Sequence, residues 1–251
     1  MKKSNNKAAA EAITVNRRRL LNNDAPFAMK EAYVKLRTSL MFCVTADKAR
    51  PCKTFAVTSA KPSEGKSLTA ANIAISYAML GKRVLLIDAD MRKPTQRRLW
   101  KVELSTGLCD YLAKIWQLEL AKVTELPLWI VCTGTIPPNP TELLSAPMTE
   151  KIFASLQKAF DYVIVDTPPV SLVTDAAVLC RMADGVLLVV RPGVTTIQSA
   201  QLSKKNLEAV NAHILGVVMN GYNGKQSGRR DGYSYAYSYS YYDEDKKGND
   251  A

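Results

Sequence analysis

Residues 54–67 read TFAVTSAKPSEGKS. A β-branched and apolar run passes without a break into a loop of small and polar residues, and the loop opens a helical pattern from Lys66 to Leu80. The loop is G-x-x-x-x-G-K-[ST] with Ala60 in the place of the first glycine, set between a strand and a helix as that motif requires. Backbone N–H groups of such a loop, together with the helix N-terminus, form a seat for phosphates. Lys66 reaches the β and γ oxygens, the Ser67 hydroxyl is a ligand for Mg²⁺, and Gly65 lets the backbone approach without a Cβ in the way. The candidate nucleotide contacts of the loop are Ser63, Glu64, Gly65, Lys66, Ser67 and Leu68.

Outward from this loop the chain alternates strand-like and helix-like segments. TFAVTSA, RVLLIDAD, LWIVCTG, DYVIVDT, DGVLLVV and HILGVVMNG are the strand candidates, and such continuous apolar runs suit strands buried on both faces. Helical patterns fill Lys66 to Leu80, Thr149 to Phe160, Ala176 to Ala183 and Thr195 to Val210, and an earlier one begins near Ala28 in AMKEAYVKLRTSLMF. That order predicts an α/β fold, a doubly wound and mostly parallel sheet of P-loop NTPase architecture. Residues 26–222 form the expected domain. Residues 1–25 read as a flexible basic arm, and residues 223–251 as a disordered linker and tail.

Two further strand candidates end in carboxylates. VLLIDAD closes on Asp88 and Asp90, and VIVD on Asp166. Ligands of open α/β sheets bind beyond the carboxyl ends of the strands, so all three acids are expected to converge on the phosphate loop. Magnesium takes oxygen ligands and keeps several waters, so one carboxylate can hold a metal-bound water while another is left free. A lone strand-end Asp is more often a cap or turn residue; three after apolar strands, two of them at i and i+2, argue against that bland reading here.

Composition limits the remaining choices. The 251 residues support a sizeable core, and no apolar run reaches the length of a bilayer span, which predicts a cytoplasmic protein. Cys43, Cys52, Cys109, Cys132 and Cys180 are scattered beside a single histidine, His213, a pattern of buried reduced thiols rather than a zinc site or a disulfide framework. The formal net charge is +11, with clusters at Lys2, Lys3 and Lys7 and at Arg17, Arg18 and Arg19. Near an anionic leaflet each basic residue contributes about 1 kcal/mol, though a solvated tail has the same composition.

Taken together, SAKPSEGKS, VLLIDADMR, VIVDTPP and GTIPPNPTELL, with the terminal YSYAYSYSYY, resemble the bacterial tyrosine kinases of the capsular and exopolysaccharide type. These stand-alone CapB/CpsD-like autokinases lie within the deviant P-loop ATPases that include the MinD/ParA positioning proteins. The resemblance implies an ATP-dependent protein-tyrosine kinase using Mg²⁺. Lys66 and Ser67 would bind phosphate and metal, and Asp88 and Asp166 would serve the metal shell. Asp90 would take the tyrosyl proton, Arg92 would complete the D-x-D-x-R motif at the nucleotide, and Asn220 would read the base. It further implies a membrane-bound polysaccharide co-polymerase of the chain-length-regulator type as activator, a homo-oligomer, a cognate tyrosine phosphatase and no nucleic-acid partner. The protein would then sit at the inner face of the membrane through its activator. In EAYVKLR, Val34 stands where the family's E-x-x-R-x-x-R ring contact has its first arginine, while Glu31 and Arg37 are retained. Lys61 falls where positioning ATPases carry a lysine that crosses into a partner's site, and it also reads as a solvated loop lysine.

The tail is the chain's other unusual feature. Tyr233, Tyr235, Tyr237, Tyr239, Tyr241 and Tyr242 are six of the 11 tyrosines. Their alternation with Ser also suits a half-buried strand, or a stacking segment for nucleic acid, but Ala236 is the stretch's one aliphatic residue and gives a strand little to pack with. As kinase substrates the phenols have small neighbours and interchangeable registers. The contrasting expectation is a MinD/ParA-like positioning ATPase without kinase activity, in which the tyrosine cluster has no task.

Overall fold

The computed structural model of the chain describes residues 19–46, 54–104, 106–114, 118–123 and 125–222. The chain divides into two compact units, residues 1–220 and 221–251; of the second, Gly221 and Tyr222 are described, so the tyrosine cluster lies outside the described residues. The first unit runs α1 Phe27–Ala46, β1 Thr54–Ser59, α2 Lys66–Ala78, β2 Val84–Asp88, α3 Gln96–Trp100, α4 Leu108–Leu112, β3 Ala121–Lys122 and β4 Leu128–Val131. It continues with α5 Pro140–Leu144, α6 Pro147–Ala159, β5 Tyr162–Asp166, α7 Thr174–Met182, β6 Gly185–Val190, α8 Ile197–Ala209 and β7 Ile214–Met219.

The strands form one seven-stranded sheet in the order β3-β4-β2-β5-β1-β6-β7. All neighbours are parallel except β3, which runs against β4. The six apolar runs expected as strands are strands. Strand parity explains why they are apolar throughout. Phe55 and Val57 of β1, Val84 and Leu86 of β2, Ile164 of β5 and Leu187 and Val189 of β6 join the core beneath α1 and α2. The intervening Leu85, Ile87, Val163 and Val165 join a second core with α4, α5 and α6. Ala56, Val186 and Leu188 face α7 and α8. With both faces covered, neither parity has a solvent side in β1, β2, β4, β5 and β6; β7, at the sheet edge, exposes Val217 and Met219. On the α2 face Tyr77 stacks on Tyr162 with ring centroids 4.0 Å apart, and Phe55 lies 6.0 Å from Tyr77. Stacked aromatic pairs of this kind add about 0.5–1.5 kcal/mol beyond the area they bury.

The structure corrects two expectations. The arm does not extend through residue 25: Leu20, Leu21 and Ala25 are buried, and Asn72 of α2 accepts from the Leu21 N–H at 2.9 Å and donates to the Arg19 carbonyl at 3.1 Å. A single amide projecting from α2 fastens this segment, which no local pattern around residue 20 reports. The cysteines also differ from expectation at one position. Burial pushes the thiols of Cys109, Cys132 and Cys180 up to about 12, 11 and 12, but Cys43 is exposed, on a helix that offers only one face to the core. Cys52 lies outside the described residues. Among the described residues no helix is long and apolar enough to cross a membrane.

Candidate active site

Parity also builds the site. Asp88 follows Val84 and Leu86 on one side of β2, and Asp166 follows Ile164 on the same side of β5; the two strands are in register with Asp88 opposite Asp166. Both carboxylates therefore emerge on the face that carries α2, at the strand ends beside the phosphate loop. Asp90, two residues on, stays buried as well. Lys66, the first residue of α2, closes the cluster: its Nζ lies 2.8 Å from Asp90 Oδ2, 3.3 Å from Asp166 Oδ1 and 3.2 Å from Ser67 Oγ. The structure thus brings together Lys66, Ser67, Asp90 and Asp166 by direct contact, with Asp88 alongside in the sheet register.

The loop before α2 is shaped for an anion. Ser63 has φ 65° and Gly65 φ 94°, left-handed conformations that turn successive amides toward one side. The first-turn N–H groups of α2 have no carbonyl of their own helix to bind. Gly65 is required twice, by its φ and by Asn220: a Cβ built there would stand 1.9 Å from Asn220 Nδ2. Asn220, just beyond β7, donates from Nδ2 to the Glu64 carbonyl at 2.8 Å. Its amide thus supports the phosphate loop's backbone. Glu64, though acidic, is fully buried. Its carboxylate accepts from the Lys61 N–H at 2.8 Å and from the Thr195 hydroxyl, while Lys61 Nζ donates to the Val194 carbonyl at 3.4 Å. Arg191 Nη1 donates to the Ser63 carbonyl at 3.3 Å. The β6–α8 connection therefore braces the loop from outside, and Lys61 is engaged within its own chain. Leu68 is half-buried against the α2-face core, so its side chain belongs to packing.

Electrostatics follow from burial. Asp88 is pushed up to about 7, by desolvation first and by the neighbouring Asp166 second. Burial raises Asp166 too, with Lys66 opposing the shift. For Lys66, desolvation works against the ammonium, but Asp166 and Asp90 outweigh it and hold the lysine above its ordinary value. The site is a buried cation among acids that repel one another. Arg92 is drawn away from this cluster: its Nε and Nη2 fork onto Asp175 of α7 at 2.7 and 3.3 Å, and Asp175 also accepts from the Thr141 hydroxyl on α5.

Several site residues carry no sequence signal. Gln96 is fully buried and donates to Asp166 Oδ2 and to the Ser67 carbonyl, both at 2.9 Å. Thr133 Oγ1 donates to the Asp88 carbonyl at 2.9 Å, and Thr195 and Arg191 brace the loop as described. Gln96 opens a five-residue helix, too short to show a period.

The donors suit magnesium. Ser67 Oγ and the carboxylates are hard oxygens, and Asp88 Oδ1 is buried with no hydrogen-bond partner. Among the described residues no cluster of three or more His, Cys, Asp or Glu is arranged to hold a metal alone.

Residues 52–215 match the AAA domain family. The tyrosine-protein kinase YwqD of Bacillus subtilis is 42% identical over 193 residues, covering 76% of this chain and 80% of that protein. The chain belongs to the bacterial tyrosine-protein kinases. The tyrosine-protein kinase CpsD of Streptococcus agalactiae is 34% identical across 77% of the chain and 83% of its own length. Among solved structures, the kinase domain of the Escherichia coli tyrosine kinase ETK superposes with a TM-score of 0.75 at 33% identity, covering 80% of this chain and 78% of that one. The septum site-determining protein MinD of Pyrococcus horikoshii, complexed with Mg-ADP, is 21% identical with a TM-score of 0.58 and shares the fold. The chain is a protein-tyrosine kinase on a P-loop scaffold, and the positioning-ATPase alternative is not favoured.

Proposed function

We propose that this kinase is an ATP·Mg²⁺-dependent autokinase that phosphorylates Tyr233, Tyr235, Tyr237, Tyr239, Tyr241 and Tyr242 on a neighbouring copy. It thereby regulates capsular or exopolysaccharide synthesis and export. The observation that carries the reading is Lys66 bridging Asp90 and Asp166 at the mouth of a phosphate loop. The phosphates of ATP compete for the same ammonium, so nucleotide entry draws Lys66 off Asp90 and releases a carboxylate beside the reacting centre. Asp90 is already oriented, because its Oδ1 accepts the N–H groups of Arg92 and Lys93 at 3.3 and 2.9 Å.

ATP supplies the phosphoryl group and Mg²⁺ neutralises the charge on it; Ser67, Asp88 and Asp166 would hold the ion. A phenol with pKa near ~10 keeps its proton at neutral pH. Asp90 accepts that proton as the phenol oxygen bonds to the γ-phosphorus, the bond to the β-γ bridging oxygen breaks, and ADP leaves. Lys66 neutralises charge on the transferred group. The kinase works with a membrane-bound activator of the chain-length-regulator type at the inner face of the membrane. A cognate phosphatase resets it. Copies assemble through α1, whose outer side exposes Val34, Met41 and Phe42, while Arg37 turns inward and donates to the Ser76 carbonyl at 2.7 Å.

The test is transfer of labelled γ-phosphate from ATP·Mg²⁺ to the purified chain, with and without the activator's cytoplasmic segment. Label mapping to the six tyrosines and lost in Lys66→Met and Asp90→Ala supports the proposal. Release of free phosphate with no tyrosine label, activator present, rejects it.

A further inference from the structure

Among the described residues Gln96 is the one hydrogen-bonded to both Asp88 and Asp166, and every polar atom of its side chain is committed. Its two Nε2 hydrogens go to Asp166 Oδ2 and the Ser67 carbonyl, each at 2.9 Å. Its Oε1 accepts from Trp100 Nε1 at 3.0 Å, one turn along α3. An indole N–H only donates, so Trp100 dictates which end of the amide is oxygen and hence which end meets Asp166. The Gln96 backbone N–H, with that of Thr95, binds Asp88 Oδ2 at 2.8 and 2.9 Å. Each carboxylate is thereby held by one oxygen. The other oxygen is left toward the site: Asp166 Oδ1 at Lys66, and Asp88 Oδ1 buried with no hydrogen-bond partner.

We propose that Gln96, oriented by Trp100, is the positioning residue of the metal shell: it turns Asp166 and the Ser67 turn into the geometry that receives Mg²⁺ with the nucleotide. Three kinds of replacement each lose part of this arrangement. Glu at the position sets a carboxylate against Asp166, Asn is one methylene short of reaching both partners, and an apolar residue leaves the Ser67 carbonyl and Asp166 Oδ2 without their donor. Partners one shell out from a metal ordinarily govern its affinity by about 10–100-fold. The inference rests on reading Ser67, Asp88 and Asp166 as the metal shell.

The experiment uses the full chain, with Gln96→Leu, Gln96→Glu, Trp100→Phe and Asp166→Asn beside the wild type. Three quantities are read: binding of a fluorescent ADP in excess EDTA, its binding with Mg²⁺, and Mn²⁺ uptake in the presence of ADP by electron paramagnetic resonance. The Mg²⁺ concentration that half-saturates tyrosine phosphorylation is followed in parallel. Gln96→Leu and Gln96→Glu are expected to weaken Mn²⁺ binding and raise the half-saturating Mg²⁺ about 10-fold or more. ADP binding in EDTA stays within about twofold of the wild type, since Gln96 touches no residue of the phosphate-binding backbone other than the Ser67 carbonyl. Trp100→Phe, which leaves every metal-shell residue in place, shifts the metal terms in the same direction by about threefold. It carries the test if the Gln96 variants fail to fold. Loss of kcat or of melting temperature with Mn²⁺ affinity unmoved in both the Gln96 and Trp100 variants overturns the inference. If Asp166→Asn also leaves Mn²⁺ binding unchanged, the reading of the carboxylates itself falls; if only Asp166→Asn weakens it, that reading stands and Gln96 is merely structural.

Discussion

Gly65 shows how one position can be constrained from two directions. A side chain there meets a left-handed φ of 94° and the Asn220 amide at 1.9 Å. Gly65→Ala is therefore expected to cost about 1–3 kcal/mol in urea unfolding and to abolish tight nucleotide binding. Because the clash and the strain are separate, Asn220→Ala should recover part of the loss. A double-mutant cycle is expected to show favourable coupling of about 0.5 kcal/mol or more, and strict additivity would mean the clash is absorbed elsewhere. Asp88 carries a different kind of strain, electrostatic rather than steric. Its folded pKa, about 7, lies above its unfolded value, so its stabilising contribution is complete below about pH 4 and is lost as pH rises through 7. Asp88→Asn keeps an oxygen for the Thr95 and Gln96 amides but removes the charge. Without nucleotide it should melt higher than the wild type above pH 7, with the difference closing toward pH 4, and it should transfer phosphate poorly. A stability gain that did not vary with pH would contradict the assignment.

At the scale of elements, what was legible in the sequence depended on length. Five of the six long apolar runs are strands buried on both faces, which need no alternation, while the edge strand β7 exposes Val217 and Met219; Lys66 to Ala78 is a helix because thirteen residues suffice to show a period. The short helices α3, α4 and α5 have five residues each, and β3 has two; nothing that short carries a pattern. They are held by tertiary hydrogen bonds instead. Asp110 of α4 accepts from the Gly107 and Thr135 N–H groups at 2.8 and 3.1 Å, and Asp175 of α7 gathers Arg92 and Thr141. Lys66, Ser67 and the three aspartates were legible because motif and strand parity both point to them. Gln96, Thr133 and Thr195 were not, since each acts through contacts between segments distant in the chain. Arg92 was legible as part of D-x-D-x-R, but its role as a tie between the loop after β2 and α7 joins segments far apart in the chain and leaves no local pattern. That tie is measurable. Burial acts to raise the Asp175 carboxyl, but the Arg92 and Thr141 bonds outweigh it and hold its pKa below the usual value. Its contribution is present above the unfolded pKa of about 4 and fades as pH falls through the folded one. Asp175→Ala should lose about 1–3 kcal/mol at pH 7, the lower part of that range reflecting the half-exposed Arg92 side chain, and little once the pH is below the folded pKa. A loss equal at both pH values would place the effect in packing rather than in the ion pair.

For the whole molecule the governing quantity is charge. The formal net charge of +11 attracts the chain to acidic surfaces, among them the inner leaflet where the proposed activator resides. Each phosphotyrosine brings about −1.5 to −2, so modification of the six clustered tyrosines adds roughly −9 to −12 and brings the chain close to neutrality. The cluster is in this view a counter whose full setting cancels the protein's electrostatic attachment, and the identity of the tyrosine modified first matters less than the number modified. Binding to vesicles containing phosphatidylserine, measured at about 0.1 M salt where the Debye length is near 10 Å, should fall steadily with phosphate count as resolved by intact mass. Raising the salt should abolish binding of the unmodified form as well. With all six tyrosines changed to phenylalanine the kinase domain keeps its nucleotide site, yet ATP should no longer release the chain from vesicles or alter its assembly state. If that variant still dissociates on ATP addition at the wild-type rate, nucleotide-driven conformational change rather than accumulated charge controls attachment, and the tyrosines report the kinase's activity without executing its switch.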